Sequence, residues 1–310
     1  MIGYIIRRVL YTIPLLFGVA LVVFIIFNVA CPNPVYMFLG KNATPQEVKL
    51  LEHELGLDKP LYAQFLDFLK QVITFDYGRS FQTKEKISSI IKRGIIPSLC
   101  LSVPAFISGT LLGIFLGIIC AYFHNTIIDR FLVIFSVLGM SVSSLAFILL
   151  GQYFLAFKWD IFPISGYEPG FKAIKYLALP WIIWISLSIG SEVRFYRTVM
   201  LNEIKQDYVR TAYAKGLPVY QVLFKHILPN ALIPIITRVV IAIPFLYTGS
   251  LLLENFFSIP GLGNLQINAI LNNDWPVIKA LTMVGSMLYI FANLISDILY
   301  ALVDPRVKLK

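Results

Sequence analysis

The sequence contains few charged residues and few cysteines. Only 14% of its 310 residues are Asp, Glu, Lys or Arg, whereas 58% are hydrophobic. This balance is too apolar for a soluble domain of this size and predicts an all-α protein that crosses the membrane several times. The three cysteines, Cys31, Cys100 and Cys120, are scattered without metal-ligand spacing, which favours small apolar residues in or near helices.

Catalytic motifs are also missing. The sequence contains no G-x-x-x-x-G-K-[ST] phosphate loop, so we do not expect this chain to be an ATPase. The three histidines, His53, His124 and His226, fall in unrelated loops, and no metal-ligand cluster is visible. We therefore expect no catalytic residues, no metal site and no cofactor bound by this chain. The net charge of +9 could indicate nucleic-acid binding, but the sequence shows no soluble domain with a basic patch. An excess of Lys and Arg in cytoplasmic loops of a membrane protein explains the charge more simply.

Six apolar blocks predict six membrane spans. The first, residues 9–30, follows Arg7 and Arg8 and is longer than the core of a signal peptide, which is about 7–15 residues. Each further block can cross a hydrocarbon core that needs about 20 residues. The further blocks lie near residues 99–123, 131–157, 176–195, 231–253 and 277–303.

Charge predicts the orientation of these spans. Most basic residues near the ends of the spans fall on one side, whereas the short loops of the other side carry mainly Lys158, Lys172 and Lys175. The positive-inside rule therefore places the termini, residues 1–8 and 304–310, in the cytoplasm. It places the loop 199–230, between the fourth and fifth spans, on the same side.

Residues 31–98 predict a small helical segment outside the cytoplasm. Thr44 and Glu47 form a capping box around Pro45, which predicts a helix that ends before Gly56. A second, amphipathic helix follows, and we expect its apolar side to pack on the membrane domain. That side consists of Leu61, Phe65, Phe68, Leu69 and Val72.

The polar segment 207–229 separates two apolar blocks and predicts a short helix. Asp207 can cap its start, Gly216 can end it and Pro218 prevents its continuation. Helical spacing places four mostly small residues on one face, where another protein could approach closely. They are Tyr208, Thr211, Ala212 and Lys215. The alternative is a basic cytoplasmic loop that only satisfies membrane topology.

The spacing of this segment resembles the EAA loop of ATP-binding-cassette importer permeases. Ala212 and Gly216 form A-x-x-x-G, and Leu228-Pro229 follows twelve residues after the glycine. The sequence DYVRTAYAKG is similar to the corresponding segment of the dipeptide/oligopeptide/nickel family, in particular of its first, B-type permease. Arg210 and Thr211 replace the Glu and Ala of the general motif, as is usual in the peptide branch, and His226 replaces an apolar residue.

Further matches extend the resemblance over almost the whole chain. SIPGLG starts at Ser258, and Asp304-Pro305-Arg306 resembles the family ending, whereas PNPV at Pro32 lacks a glycine that the family usually has. The resemblance implies a six-helix permease whose short helix couples to a separate ATPase. The residues expected at that coupling surface are Asp207, Tyr208, Arg210, Thr211, Ala212, Ala214, Lys215, Gly216, Leu217 and Pro229.

The resemblance also implies partners and a substrate. We expect a heterodimer with a second permease, two ATPase subunits that bind ATP and Mg, and an extracytoplasmic substrate-binding protein. Peptides are the expected substrate, with nickel or a metal-chelate complex as the alternative. A stand-alone secondary transporter is the competing class. The lack of obvious internal repeats and of paired acidic residues at mid-membrane argues against it.

Two further groups are candidate functional residues. Arg238 and Asp297 lie at similar height in the fifth and sixth spans, so they could pair, although Arg238 could instead extend to the membrane interface. Glu254, Pro260, Gly261 and Gly263 surround an irregular outer turn. Such a turn lines a transport pathway or gate, or is a re-entrant structural turn.

Overall fold

The protein is built from helices throughout the part of the chain that the structure describes. The structure, a computed structural model, describes residues 2–30, 35, 44–54, 56–246 and 250–303. Within these ranges the only strand-like pairing is an isolated bridge between Arg79 and Lys86. The predicted all-α class is therefore confirmed.

The helices in chain order are α1 (Ile2–Ile25), α2 (Pro45–Glu54), α3 (Leu61–Thr74), α4 (Ile87–Tyr122), α5 (Ile127–Ser141), α6 (Ser144–Gly151), α7 (Ala173–Ile204), α8 (Asp207–Ala214), α9 (Val219–Val222), α10 (Leu228–Leu246), α11 (Leu251–Phe256), α12 (Leu262–Leu271) and α13 (Trp275–Val303). Short π-helical segments extend α1 (Ile26–Ala30), extend α6 (Gln152–Lys158) and join α9 to α10 (Leu223–Ile227). A 3₁₀ turn, Gly170–Lys172, precedes α7.

Five helical segments are long and apolar enough to cross a membrane. They are Ile6–Val29, Ile87–Tyr122, Gly170–Ile204, Val219–Leu246 and Trp275–Leu299. A sixth crossing is possible through a broken pair, Ile127–Ser141 and Ser144–Lys158, which bends by 95°.

The bend corrects the expectation of one continuous third span over 131–157. Val142 and Ser143 both have extended backbone at the break, with ψ values of 134° and 140°. They lie in the sequence Ser-Val-Ser-Ser, and serine competes with helical hydrogen bonds while valine loses side-chain freedom in a helix. A local cluster of weak helix formers therefore interrupts an otherwise apolar run.

Three glycines let α4 and α7 approach closely. Gly109, Gly113 and Gly117 recur every four residues and so share one face of α4. A Cβ atom on Gly113 would lie 2.7 Å from Glu192 Cβ, and one on Gly117 would lie 2.7 Å from Tyr196 Cβ. Small residues at this spacing allow helix backbones to pack directly in a membrane. The pair α4 and α7 accordingly forms the most extensive helix–helix contact in the described chain.

Helix α7 is central because its other faces are also occupied. Gly190 packs against the backbone carbonyl of Ser136 on α5, where an added Cβ would lie 2.5 Å from that oxygen. Gly151, at the end of α6, packs against Ile183. Since α7 also contacts α10, any displacement of α7 is transmitted to several spans.

The segment outside the spans packs on α1 much as predicted. The capping box at the start of α2 forms, because the Thr44 backbone N–H donates to Glu47 Oε2 at 2.9 Å. On α3, Phe68 and Val72 are buried in a cluster with Ala20 and Phe24 of α1. Phe65 and Leu69 pack at the edge of that cluster. Leu61 was wrongly included, since it is 54% exposed in the first turn of α3.

Substituting Gly117 tests the close packing of α4 on α7. Gly117→Ala should destabilise the protein by about 1–3 kcal/mol, because the new methyl group would overlap Tyr196 and the backbone next to it. Gly139→Ala on α5 is the matched control, since nothing lies within 4 Å of its added Cβ. The control should be neutral or up to about 1 kcal/mol more stable, through better helix propensity. The measurement is the free energy of unfolding in mixed detergent micelles, and equal stability of both variants would refute the close-packing interpretation.

Candidate functional site

The predicted short helix exists as α8, and its boundaries follow from local chemistry. Gln206, with ψ of 151°, is the residue that caps the helix, so Asp207 is the first helical residue and not the cap. An acidic side chain in the first turn is favourable near the positive end of the helix dipole. Gly216 has a φ of +77°, a left-handed conformation that ends the helix as predicted. Pro218 then caps the start of α9.

Ala212, one of the residues predicted for the docking face, is buried against the membrane spans. Ala212 is 5% exposed and Val209 is 1% exposed, and both pack in a buried cluster with Tyr196 and Met200 of α7. Ala212 is therefore part of the core, and its assignment to the exposed face was wrong. The reason is that Val209 and Ala212, three residues apart, form the apolar side of α8. Val209 was the signal in the sequence that could have oriented the helix.

The opposite side of α8 is exposed and polar. Asp207 and Arg210 form an exposed ion pair, with Arg210 Nη1 3.5 Å from Asp207 Oδ1, which contributes little stability. Tyr208 donates a hydrogen bond to Glu203 Oε2 at 2.5 Å, and partial burial together with this hydrogen bond raises the pKa of Tyr208 to about 12. The other exposed residues between 207 and 216 are Thr211, Tyr213, Ala214, Lys215 and Gly216.

The remainder of the loop connects α8 firmly to the spans. Leu217 and Leu228 pack at the edge of the cluster that contains Val209 and Ala212. Pro229 is exposed and directly follows the π-helical segment and Leu228, within the continuous helical stretch Val219–Leu246. The motif therefore runs from α8 into the start of α10, and its buried residues join α8 to both α7 and α10.

The predicted pair between Arg238 and Asp297 does not form. Arg238 on α10 makes a two-pronged contact with Glu192 on α7, at 3.0 Å for Nη2–Oε1 and 3.3 Å for Nε–Oε2. Asp297 on α13 instead lies 2.9 Å from Nη1 of Arg8 on α1. A similar height in two spans is not enough to predict an ion pair, because the packing of the helices decides which side chains face each other. Glu192 was visible in the sequence as an ionisable residue within the fourth predicted span.

A further ion pair was missed by the sequence reasoning. Asp129 at the start of α5 is 2% exposed and accepts hydrogen bonds from Arg197 of α7 at 2.6 and 2.8 Å. The Asn125 backbone N–H also donates to Asp129, at 3.1 Å. Asp129 lies just before the third predicted span, 131–157, and so was not among the ionisable residues expected within the spans. The pair fixes α5 against the C-terminal half of α7.

The outer turn is organised around a buried carboxylate. Glu254 is fully buried and accepts hydrogen bonds from Ser98 Oγ at 2.7 Å and from the Asn264 backbone N–H at 3.1 Å. Gly261 and Gly263 are buried against this carboxylate, whereas Pro260 is exposed. The glycines are required for space, because a Cβ on Gly261 would overlap the carboxylate. A role of this turn in the pathway or gate stays a prediction.

Known proteins resemble this chain over its full length. The profile of the family described as "Binding-protein-dependent transport system inner membrane component" matches residues 113–309, and the profile of the corresponding N-terminal component matches residues 1–102.

Three curated relatives illustrate the similarity. The chain is 32% identical over 313 residues to the "Probable peptide ABC transporter permease protein y4tP" of Sinorhizobium fredii, covering 98% of this chain and 99% of that protein. It is 33% identical over 315 residues to the "Oligopeptide transport system permease protein AppB" of Bacillus subtilis, covering 99% and 100%. It is 32% identical over 318 residues to the "Glutathione transport system permease protein GsiC" of Shigella flexneri, covering 100% of both.

Substituting Gly261 tests the packing of the outer turn. Gly261→Ala should lower the free energy of unfolding by about 1–3 kcal/mol, because the methyl group would displace Glu254 and lie 2.5 Å from Ser98 Oγ. The backbone of Gly261, with φ of −94°, would itself accept alanine. Gly18→Ala on α1 is the control, since its added Cβ meets nothing within 4 Å. Wild-type stability of Gly261→Ala would show that the turn is more loosely packed than described.

Two tryptophan variants test the orientation of α8. Ala212→Trp should lower the free energy of unfolding by about 2–3 kcal/mol, because the buried cluster has no room for an indole. Ala214→Trp, two residues away on the exposed side, should change it by no more than about 0.5 kcal/mol. Thermal unfolding of both purified variants in detergent provides the comparison. The reverse order of stabilities would mean that α8 is rotated relative to this description.

Proposed function

Because the chain belongs to the family of binding-protein-dependent transport system inner membrane components, we propose that it forms a peptide pathway in an ATP-driven importer. The observation that carries this proposal is the match of both family profiles, which together extend over nearly the whole chain. The chain would be the membrane-spanning permease subunit of an ATP-binding-cassette importer, and its helices would line the path of the substrate.

Peptides are the proposed substrate class. The relatives reported above are named for the transport of peptides, oligopeptides and glutathione, and the chain covers nearly their full length. The same machinery importing nickel or a metal-chelate complex is the second candidate, which rests on the family resemblance alone.

The family is the membrane component of such systems, so we infer that ATP is bound elsewhere. Two separate ATPase subunits would bind ATP and Mg, and this chain would bind neither. A second, homologous permease would complete the pathway, and an extracytoplasmic protein would deliver the substrate. These partners come from the family resemblance, and α8 is the surface that we propose for the ATPase.

The structure of α8 suits a coupling element. Its polar side, with Asp207, Arg210 and Ala214, is exposed and available to a partner. Its apolar side is anchored by Val209 and Ala212 to residues of α7 and α10. A displacement of α8 by an ATPase would therefore move two spans together, since close-packed helices shift as units.

The proposed location is the bacterial inner membrane, with both termini and α8 in the cytoplasm. The support is charge: Arg194, Arg197, Lys205, Arg210 and Lys215 lie at the end of α7 and on α8. Short loops rich in Lys and Arg remain on the cytoplasmic side. A stand-alone secondary transporter remains the competing class, and membership of this family argues against it.

Exposed variants of α8 test coupling without disturbing the core. Arg210→Glu and Ala214→Trp should reduce uptake of a labelled peptide by about tenfold or more, through loss of contacts with the ATPase of a few kcal/mol. Membrane insertion and thermal stability should be unchanged, since both residues are exposed. Lys172→Glu, an exposed charge reversal before α7, is the control and should transport normally.

The measurement combines co-purification with activity. The tagged chain is extracted in gentle detergent, and ATPase subunits and ATP hydrolysis are assayed in the eluate beside cellular uptake. Co-purification that is lost in both α8 variants would support the docking surface. Normal uptake by both variants would refute it. A chain that purifies alone and transports peptide into liposomes without ATP would instead be a secondary transporter.

A further inference from the structure

A cavity of about 340 Å³ lies between α4, α7 and α10. Its volume is within the range of pockets that hold small ligands, roughly 300–1,000 Å³. Its walls are mostly apolar, with two charged side chains, Glu192 and Arg238, among them. The apolar lining consists chiefly of Phe106, Phe195, Ile241, Ala242 and Phe245. An ion pair in an otherwise apolar membrane cavity requires a physical reason, because apolar residues there would avoid the cost of burying charge.

The ion pair is accessible from the cavity. The Arg238 side chain is 38% exposed and that of Glu192 is 14% exposed, although both lie within membrane-spanning helices. Ionisable residues in spans face the interior of a bundle or a water-filled cavity and mark substrate pathways. The guanidinium of Arg238 also stacks on the ring of Phe195, 4.7 Å from its centroid. Each charge is thus held in place while part of the pair remains open to a ligand.

We propose that Glu192 and Arg238 are a subsite that recognises the two ends of a zwitterionic peptide during its passage. The α-ammonium group of the peptide would bind the Glu192 carboxylate, and its α-carboxylate would bind the Arg238 guanidinium. This inference rests on the proposed function as a peptide importer and assigns specificity-determining residues to it.

Charge balance favours a zwitterion over other ligands. In this structure the two side chains neutralise each other, so neither charge is uncompensated. A ligand with one charge would give the apolar cavity a net charge, which is strongly unfavourable there. A ligand that carries both charges can place its ammonium group on Glu192 and its carboxylate on Arg238 while the two side chains stay in contact, so every charge keeps an opposite partner. The planar guanidinium fork is, in addition, suited to two parallel hydrogen bonds with a carboxylate.

The rest of the cavity fits this division of roles. Its aromatic and aliphatic walls offer hydrophobic contact without directional hydrogen bonds, so they accept side chains of varied shape. The charged pair would bind only the α-ammonium and α-carboxylate groups, which all unmodified peptides share. The subsite would therefore distinguish peptides with free ends from those with blocked ends, and would discriminate weakly among sequences.

The test measures peptide binding at the cavity itself, within the assembled importer complex in nanodiscs. Ile241 lines the cavity and is 60% exposed, so Ile241→Cys in a chain without its native cysteines provides a site for a maleimide probe. The rate of labelling is measured against increasing trialanine, N-acetyl-trialanine and trialanine amide. Trialanine should protect the cysteine, and each blocked peptide should require about tenfold higher concentration, since each lacks one charge-assisted contact.

Two neutral variants then identify which end each side chain binds. Glu192→Gln should weaken protection by trialanine about tenfold and leave protection by N-acetyl-trialanine unchanged, because the contact is already missing there. Arg238→Gln should behave in the same way toward trialanine amide. Arg194→Gln, an exposed arginine on the same helix that does not line the cavity, is the control and should leave all three peptides unaffected.

Other outcomes would overturn the subsite. Equal weakening of all three peptides by Glu192→Gln and Arg238→Gln would mean that the pair only holds α7 to α10. No protection by trialanine in a complex that still takes up peptides would exclude a subsite here while leaving the proposed function intact. A complex that takes up no peptide under any condition would refute the proposed function, and this inference with it.

Discussion

The close approach of α4 and α7 is the constraint on which the rest of the structure depends. Gly109, Gly113 and Gly117 carry no side chain on one face of α4, so that α7 lies directly against the backbone there. Without a hydrophobic driving force between helices in lipid, such backbone contact supplies much of the attraction. This packing determines where Glu192 and Tyr196 point, and hence what α10 and α8 can contact. The position of α8 and the pair of Glu192 with Arg238 both depend on this one interface.

Three ion pairs within and near the spans join helices that are distant in sequence. Arg8 with Asp297, Asp129 with Arg197 and Glu192 with Arg238 join α1 to α13, α5 to α7 and α7 to α10. Each pair avoids the cost of a lone charge in hydrocarbon, yet pairing alone does not require that these residues be charged. The pair in the cavity differs from the other two because apolar walls and open space surround it. The proposed peptide subsite would give a reason for charge to be retained at that position.

The short helix α8 carries residues that stabilise the fold on one side and exposed residues on the other. The sequence pattern identified its end at Gly216, and that boundary is confirmed by a left-handed backbone. The pattern could not show that Ala212 faces inward, because small residues suit both a core and a docking surface. In the structure, Val209 and Ala212 bind α8 to the spans, and only the polar side remains for a partner. A rigid link between an exposed surface and two spans is what transmission of a movement requires.

The sequence by itself determined the features that arise from local chemistry and overall hydrophobicity. The all-α class, the six apolar blocks, the capping box at Thr44 and the end of α8 all follow from patterns within a few turns of the chain. Tertiary structure alone decided which charges pair, since Arg238 could reach Glu192 or Asp297 depending on how α10 is rotated. It also decided the bend between α5 and α6 and the burial of Glu254 by the two glycines of the outer turn. These features depend on contacts between residues far apart in the chain, and hydrophobic periodicity carries no information about which helix faces which.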